Sequence, residues 1–199
     1  SSGISLRWLG NLLTACGKDK LDYENINELV AGEMESREKL FFLPYLLGER
    51  TMGAPNGKGC FIGMTLATTP GRMLRAVMEG QAFDNRRILD IFTEQGYEIE
   101  SIYAICGGAK STIWNQIRAD IYNRPVYTLQ AEECEAMGAA LLGSVEAGMF
   151  GNLSDAAEQI MKIKREYLPR KDRAKQYEEE FQNFVELHDA MQKPFGHIY

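Results

Sequence analysis

From residue 106 to 112 the chain reads Cys106-Gly107-Gly108-Ala109-Lys110-Ser111-Thr112, the run whose residue types best suit ligand chemistry. Paired glycines let backbone amides approach a ligand with no Cβ in the way. A helix beginning just after them would aim its open amides and the positive end of its dipole at an anion. Lys110 could reach a phosphate, and Ser111 and Thr112 can cap the helix or touch the ligand. Taken alone, the same residues also serve as a tight strand-to-helix turn. The run matches neither GxxxxGKS/T nor GxGxxG, which excludes a P-loop and a dinucleotide fingerprint.

Other chemistry is sparse. His188 and His197 both lie near the C-terminus, so neither a histidine-rich zinc site nor a serine or cysteine triad is expected. Cys16, Cys60, Cys106 and Cys134 are widely spaced with no CxxC, and read as reduced, mostly buried thiols of a cytoplasmic protein. No pair of acids stands out as catalytic. Arg75 and Glu79, one helical turn apart, read as a surface ion pair. Asp84 and Asp120 fall in helical segments and are expected to face solvent. Glu133 and Glu135 open a helix, where carboxylates suit the dipole. Glu49 and Arg50 read as a local ion pair in a loop.

The elements that must position the glycine turn follow from periodicity. Residues 1–16 read as a helix, with Leu6, Leu9, Leu12 and Leu13 on one side, and 22–31 as a short second helix. Leu40–Leu47 is a buried strand-like run, 49–58 a loop and 59–66 a strand. Thr69-Pro70 opens a long helix that Gly96 ends. Then come a strand over 99–105, the glycine turn, a helix over 112–122, a strand over 125–129 and a small-residue helix over 133–147. Strand–helix alternation implies a parallel sheet with helices packed on it. Ligands in such sheets collect at the carboxyl ends of strands, where the glycine turn lies. The tail, 150–199, reads as a helical extension with helices over 154–163 and 171–191. The last carries Tyr177, Phe181, Phe184, Val185, His188 and Met191 on one docking stripe.

Composition sets outer limits. The chain has 199 residues, 45% hydrophobic and 25% charged, enough for one domain with its own core. A net charge of −6 argues against nucleic acid as partner. The basic run of Lys162, Lys164, Arg165, Arg170, Lys171 and Arg173 is followed by Glu178–Glu180 and reads as a solvated helix face. No membrane span is expected: the longest apolar run, Leu40–Leu47, is interrupted by Pro44, and a span needs roughly 20 residues. The start, Ser-Ser-Gly-Ile with no methionine, reads as a piece cut from a longer protein.

Several segments in order resemble the C-terminal half of the FGGY carbohydrate kinases, most like the xylulokinase branch. They are Gly3-Ile4-Ser5-Leu6-Arg7-Trp8, Leu40 to Thr51, Gly59 to Met64, Arg75 to Phe83, Gly107 to Ser111 with Trp114, and Glu135 to Leu141. The resemblance implies an actin-like ATPase, ribonuclease-H-like α/β domain: a central mixed sheet with helices on both faces. It implies ATP or ADP with Mg²⁺ as cofactors. The opposite, N-terminal domain would hold the sugar and the catalytic aspartate, so no catalytic residue and no metal ligand is expected in this chain. That missing domain, the nucleotide and the sugar are the implied partners; a second copy of the chain is left open.

Residue by residue, Gly3 resembles the glycine opening the first helix near the nucleotide, and Arg7 stands where some relatives place glutamine at the adenine pocket. Gly107, Gly108 and Ala109, with Ser111, match the loop that contacts phosphates or ribose. Thr112 takes a position that is asparagine in some relatives. Glu49 and Arg50 match a GERT segment that orders the interdomain side. The following Thr51-Met52-Gly53-Ala54-Pro55-Asn56 departs from the family's pattern. The implied reaction is transfer of the γ-phosphate of ATP to a pentulose, D-xylulose first, with ribulose, gluconate or glycerol as alternatives. The fragment alone is expected to be inactive. Two other readings stand beside it: a non-catalytic actin-like nucleotide-binding scaffold, and an α/β interaction domain.

Overall fold

The computed structural model describes residues 2–17, 21–49, 55–131 and 133–198. Helix α1 (Ser2–Ala15) buries Leu6 and Leu9. Helix α2 (Tyr23–Gly32) begins where the Asp22 carboxylate accepts from the Asn25 amide at 2.8 Å. Strands β1 (Phe41–Pro44) and β2 (Gly59–Ile62) form an antiparallel hairpin with Phe41 opposite Ile62. Helix α3 (Pro70–Glu94) starts at Thr69, whose side chain accepts from the Arg72 amide, with proline in the first turn as expected.

Strand β3 (Ile102–Ala104) leads through a short 3-10 turn (Gly107–Lys110) into α4 (Thr112–Tyr122), and β4 (Val126–Leu129) follows parallel to β3. Helices α5 (Cys134–Glu146) and α6 (Leu153–Ile160) pack on each other. The chain ends in β5 (Ile163–Tyr167) and α7 (Lys171–Phe195).

Strand β5 corrects the sequence reading of the tail. Residues 163–167 were expected to be helical or connecting, yet they pair antiparallel with β4 and extend the sheet to the order β3-β4-β5. The sheet is therefore mixed, as the family resemblance implied, and not wholly parallel as strand–helix alternation alone suggested. Charged residues on an outer strand hide its hydrophobic alternation, a common way to blunt a sheet edge.

The core gathers around α3. Leu74, Val77 and Met78 are fully buried, and Phe83 meets Tyr177, Phe181 and Phe184 of α7 at ring distances of 6.0, 6.2 and 5.3 Å. Each such side chain contributes about 1.5–3 kcal/mol on burial. The stripe read from the sequence on α7 is thus an internal docking face. Helix α3 lies so close to β1 that a Cβ on Gly80 would overlap the carbonyl oxygen of Phe42. Only glycine permits this crossing.

Three expectations about charge fail for one reason: these groups find partners inside. Arg75 and Glu79 are each 2% exposed, not a surface pair. Glu79 accepts from Arg75 Nε at 2.7 Å, Arg72 Nη1 at 2.9 Å and Tyr177 Oη at 2.8 Å. The two guanidinium groups also donate to the carbonyls of Glu33, Glu38 and Leu40, closing the gap between α2 and β1. Asp120 is fully buried and accepts from Arg170 N at 2.8 Å and Nη2 at 2.6 Å, pinning the entry to α7 against α4. Asp84 is half-buried and accepts from Tyr45 Oη at 2.8 Å. The thiols depart in the opposite sense: Cys16 and Cys106 are exposed and Cys60 is half-buried.

Candidate functional site

The glycine turn sits at the carboxyl ends of β3 and β4. Its shape is set by the first turns of α4. Ser111 caps the helix, accepting from the Trp114 amide at 3.1 Å, and donates to Asn27 Oδ1 at 2.7 Å. Asn115 Nδ2 donates to the Ala109 carbonyl at 2.8 Å, and Arg118 Nη1 to the Gly108 carbonyl at 3.3 Å. Arg118 lies 4.3 Å over the Trp114 ring, and burial lowers its affinity for a proton. The carbonyls of the turn are therefore drawn inward. The Ala109 amide closes the turn on the Cys106 carbonyl at 3.0 Å, so it is the amides of Gly107 and Gly108, at its start, that the turn itself does not use.

The two glycines do different work. A Cβ on Gly108 would come within 2.9 Å of Arg118 Nη2 and 3.3 Å of the Trp114 ring, so a larger residue there would have to push the Arg118 terminus off its place over the ring. Gly107 is exposed and faces open space. Just before them, Cys106 adopts φ 63°, ψ −161°. That region is essentially reserved for glycine and costs about 1–3 kcal/mol for other residues.

A cleft of about 360 Å³ opens beside the turn. Ala104, Ile105, Leu129 and Ala131 give it apolar walls; Thr112 and Thr128 give it hydroxyls. Lys110 from the turn and Lys164 and Arg165 from β5 supply its cations. Among the described residues lining it there is no carboxylate.

Of the sequence-expected site residues, Ala109 and Thr112 line this cleft, together with Cys106. Gly107 and Gly108 are their immediate neighbours in the turn. Ser111 is 1% exposed, and its hydroxyl is taken up by the cap and Asn27, which leaves it a positioning role. Gly3 and Arg7 lie on α1, which packs against the turn, but neither lines the cleft; Arg7 is exposed. Sequence reading missed Lys164 and Arg165, which it assigned to a solvated helix face. The signal was the apolar pair Ile163 and Tyr167 bracketing the charges before Pro169, a pattern too short to stand out.

A second cleft, about 260 Å³, lies between α1, the end of β1 and α3, with Ser5, Tyr45, Glu49, Gln81 and Asp84 on its walls. Glu49 is 5% exposed. Burial, then the charge of Glu49 against the pull of Tyr45 and Arg87, leaves the Asp84 carboxyl above its ordinary value. Arg50, Thr51, Met52, Gly53 and Ala54 lie outside the described residues. His188 is buried, with Nδ1 2.8 Å from Asp189 and Nε2 3.0 Å from Gln192, a structural arrangement. Among the described residues no three histidine, cysteine or acidic side chains gather as a metal site, and no helix is long and apolar enough to cross a membrane.

Residues 1–147 match the model of the FGGY family of carbohydrate kinases, C-terminal domain. The chain is 35% identical over 150 residues to a xylulose kinase of Bacillus subtilis, covering 75% of this chain and 30% of that protein. The crystal structure of a xylulose kinase from Rhodospirillum rubrum superposes with a TM-score of 0.85 at 27% identity, covering 98% of this chain and 39% of that one. A gluconate kinase from Lactobacillus acidophilus superposes at 0.86 with 25% identity, over 99% of this chain and 39% of its own. The chain therefore spans roughly a third of the length of the proteins it matches. Its α/β architecture is that of the actin-like ATPase fold. A family match over most of the chain, together with these superpositions, makes it a member of the FGGY carbohydrate kinases, corresponding to their C-terminal domain.

Proposed function

We propose that this chain is the ATP-binding half of a sugar kinase, the sugar being a pentulose and D-xylulose in the first place. The observation that carries the reading is the glycine turn opening on a cleft lined by both apolar side chains and cations. Such a cleft suits a molecule with a flat apolar base and a chain of phosphates. ATP supplies the transferable γ-phosphoryl group, and catalysis of that transfer is largely positioning and charge stabilisation.

The chain's own residues would hold and orient the nucleotide. The amides at Gly107 and Gly108 would donate to phosphate or ribose oxygens, with the Ala109 amide closing the turn on the Cys106 carbonyl at 3.0 Å, and the Thr112 hydroxyl would bond the nucleotide. Ser111 would fix the turn from behind. Gly3 and Arg7, on the helix packed against the turn, lie outside the cleft and would meet only a part of the nucleotide that extends past the turn. Magnesium would arrive on the phosphates, since Mg²⁺ at kinase sites is held by one or two carboxylates plus substrate oxygens. The base acting on the sugar hydroxyl would come from an opposing domain, and this chain would position only the donor.

The test is a coupled phosphorylation assay with D-xylulose, D-ribulose, gluconate and glycerol. It is run on these 199 residues alone and on the same residues joined to an FGGY N-terminal domain. Negligible turnover by the chain alone, and turnover with D-xylulose by the joined protein, is the expected pattern. Full turnover by the 199 residues alone would refute the division of labour. Preference for another of the four sugars would replace D-xylulose and leave the kinase reading in place.

A further inference from the structure

We infer that Lys164 and Arg165 of strand β5 form the phosphate-binding wall of the nucleotide cleft, so that the tail beyond the family match at residue 147 is part of the binding site. The inference rests on the nucleotide reading of that cleft and extends it to residues that reading does not include.

Four observations carry it. First, both residues line the 360 Å³ cleft, together with Ala109 of the glycine turn and Thr112 at the start of α4. Second, the strand is irregular where they occur. Arg165 pairs with Thr128 and Ile163 with Leu129, which leaves Lys164 as an extra residue between them. A bulge of this kind re-aims a side chain and is over-represented beside active sites. Here it brings two consecutive cations to one cleft, where strict alternation would send them to opposite faces. Third, the tail's other arginines are held by carboxylates, Arg170 by Asp120 and Arg173 by Glu35. Lys164 and Arg165 make no side-chain hydrogen bond or ion pair with the described residues. Fourth, the chain as a whole carries a net charge of −6, so three cations at one cleft run against the average.

Cations gathered this way favour an anionic ligand. The guanidinium fork of Arg165 matches phosphate oxygens two at a time, and Lys164 acts as a point charge. The cleft's volume admits a small molecule and no macromolecule. The apolar residues on the β3 side, Ala104 and Ile105, would take the base, and the β5 side the phosphates.

The experiment is calorimetric titration of the chain with ADP, adenosine and inorganic tripolyphosphate, for the wild type, Lys164→Ala/Arg165→Ala and Arg165→Lys. The double variant is expected to lose roughly tenfold or more in ADP affinity, with a flatter salt dependence and unchanged adenosine binding. Arg165→Lys should fall between. Unchanged ADP affinity in the double variant would overturn the inference while leaving the nucleotide reading intact. Equal losses for ADP and adenosine would also overturn it, as a general structural effect. Binding of tripolyphosphate, lost in the double variant, with none of adenosine or ADP would support the cationic wall and sink the nucleotide reading. No binding of any probe to the wild type would sink both. Should the double variant fail to fold by circular dichroism, the single exchanges Lys164→Gln and Arg165→Gln replace it. Each is expected to weaken ADP binding severalfold, and no change in either overturns the inference.

Discussion

Cys106 occupies a backbone region that only glycine enters cheaply, and it does so at the mouth of the candidate cleft. Strain held at such a point persists only where the surroundings enforce it. Here the enforcement comes from below, through Asn115 and Arg118 pulling on the carbonyls of Ala109 and Gly108. Replacing Cys106 with glycine should relieve the strain and stabilise the chain by about 1 kcal/mol, after subtracting the extra freedom glycine has when unfolded. Chemical denaturation of the two proteins measures this; an unchanged or lower midpoint would show the turn to be unstrained. The sequence made this turn legible as a ligand loop through its two glycines, but it did not distinguish them. Gly108 is crowded by Arg118 and Trp114, ten and six positions further on along a helix whose inward face the sequence showed only as apolar spacing. Ser111 was equally ambiguous between cap and ligand, and the side chain of Asn27, 84 residues away, decides it.

At the scale of elements, α3 and α7 are joined through a buried cluster of Arg72, Arg75, Glu79, Tyr177 and Glu180. Burial, and next the charge of Glu79, push the Glu180 carboxyl above its ordinary value, against the pull of Gln176 and the two arginines. A carboxyl that binds its proton more tightly folded than unfolded makes folding less favourable as pH rises. The cost is complete above the raised folded value, shrinks as pH falls through it, and vanishes below the ordinary value of 4.5. Glu180→Gln should therefore be more stable than the parent at pH 8, with the difference closing by pH 4. Urea unfolding at pH 8, 6 and 4 tests this, and a gap that stays constant or widens on acidification would contradict it. The helices themselves were legible, because Thr69-Pro70 and the 3.6-residue periodicity state their ends and faces. The buried charges were not: an i,i+4 pair such as Arg75 and Glu79 looks the same in sequence whether it faces water or Tyr177. Strand β5 escaped for the same kind of reason, since its five residues carry three charges and the strand it pairs with lies 34 or more residues earlier.

For the whole molecule, the account depends on the tail returning to the sheet. Asp120 holds Arg170 at the entry to α7, β5 is thereby set beside β4, and Lys164 and Arg165 arrive at a cleft built mostly by residues 104–131. The segment that begins as an extension thus supplies part of the cleft's lining. The central claim, that this cleft takes an adenine nucleotide, is tested most directly by titrating the chain with Mg·ADP while following alkylation of Cys106 by mass spectrometry. Cys106 lines the cleft, and Cys16, exposed at the end of α1, serves as the internal reference. Saturable protection of Cys106 at the concentrations where ADP binds, with Cys16 labelled at an unchanged rate, is the result expected. Labelling of Cys106 that is indifferent to saturating ADP, or protection of both thiols alike, would contradict the account.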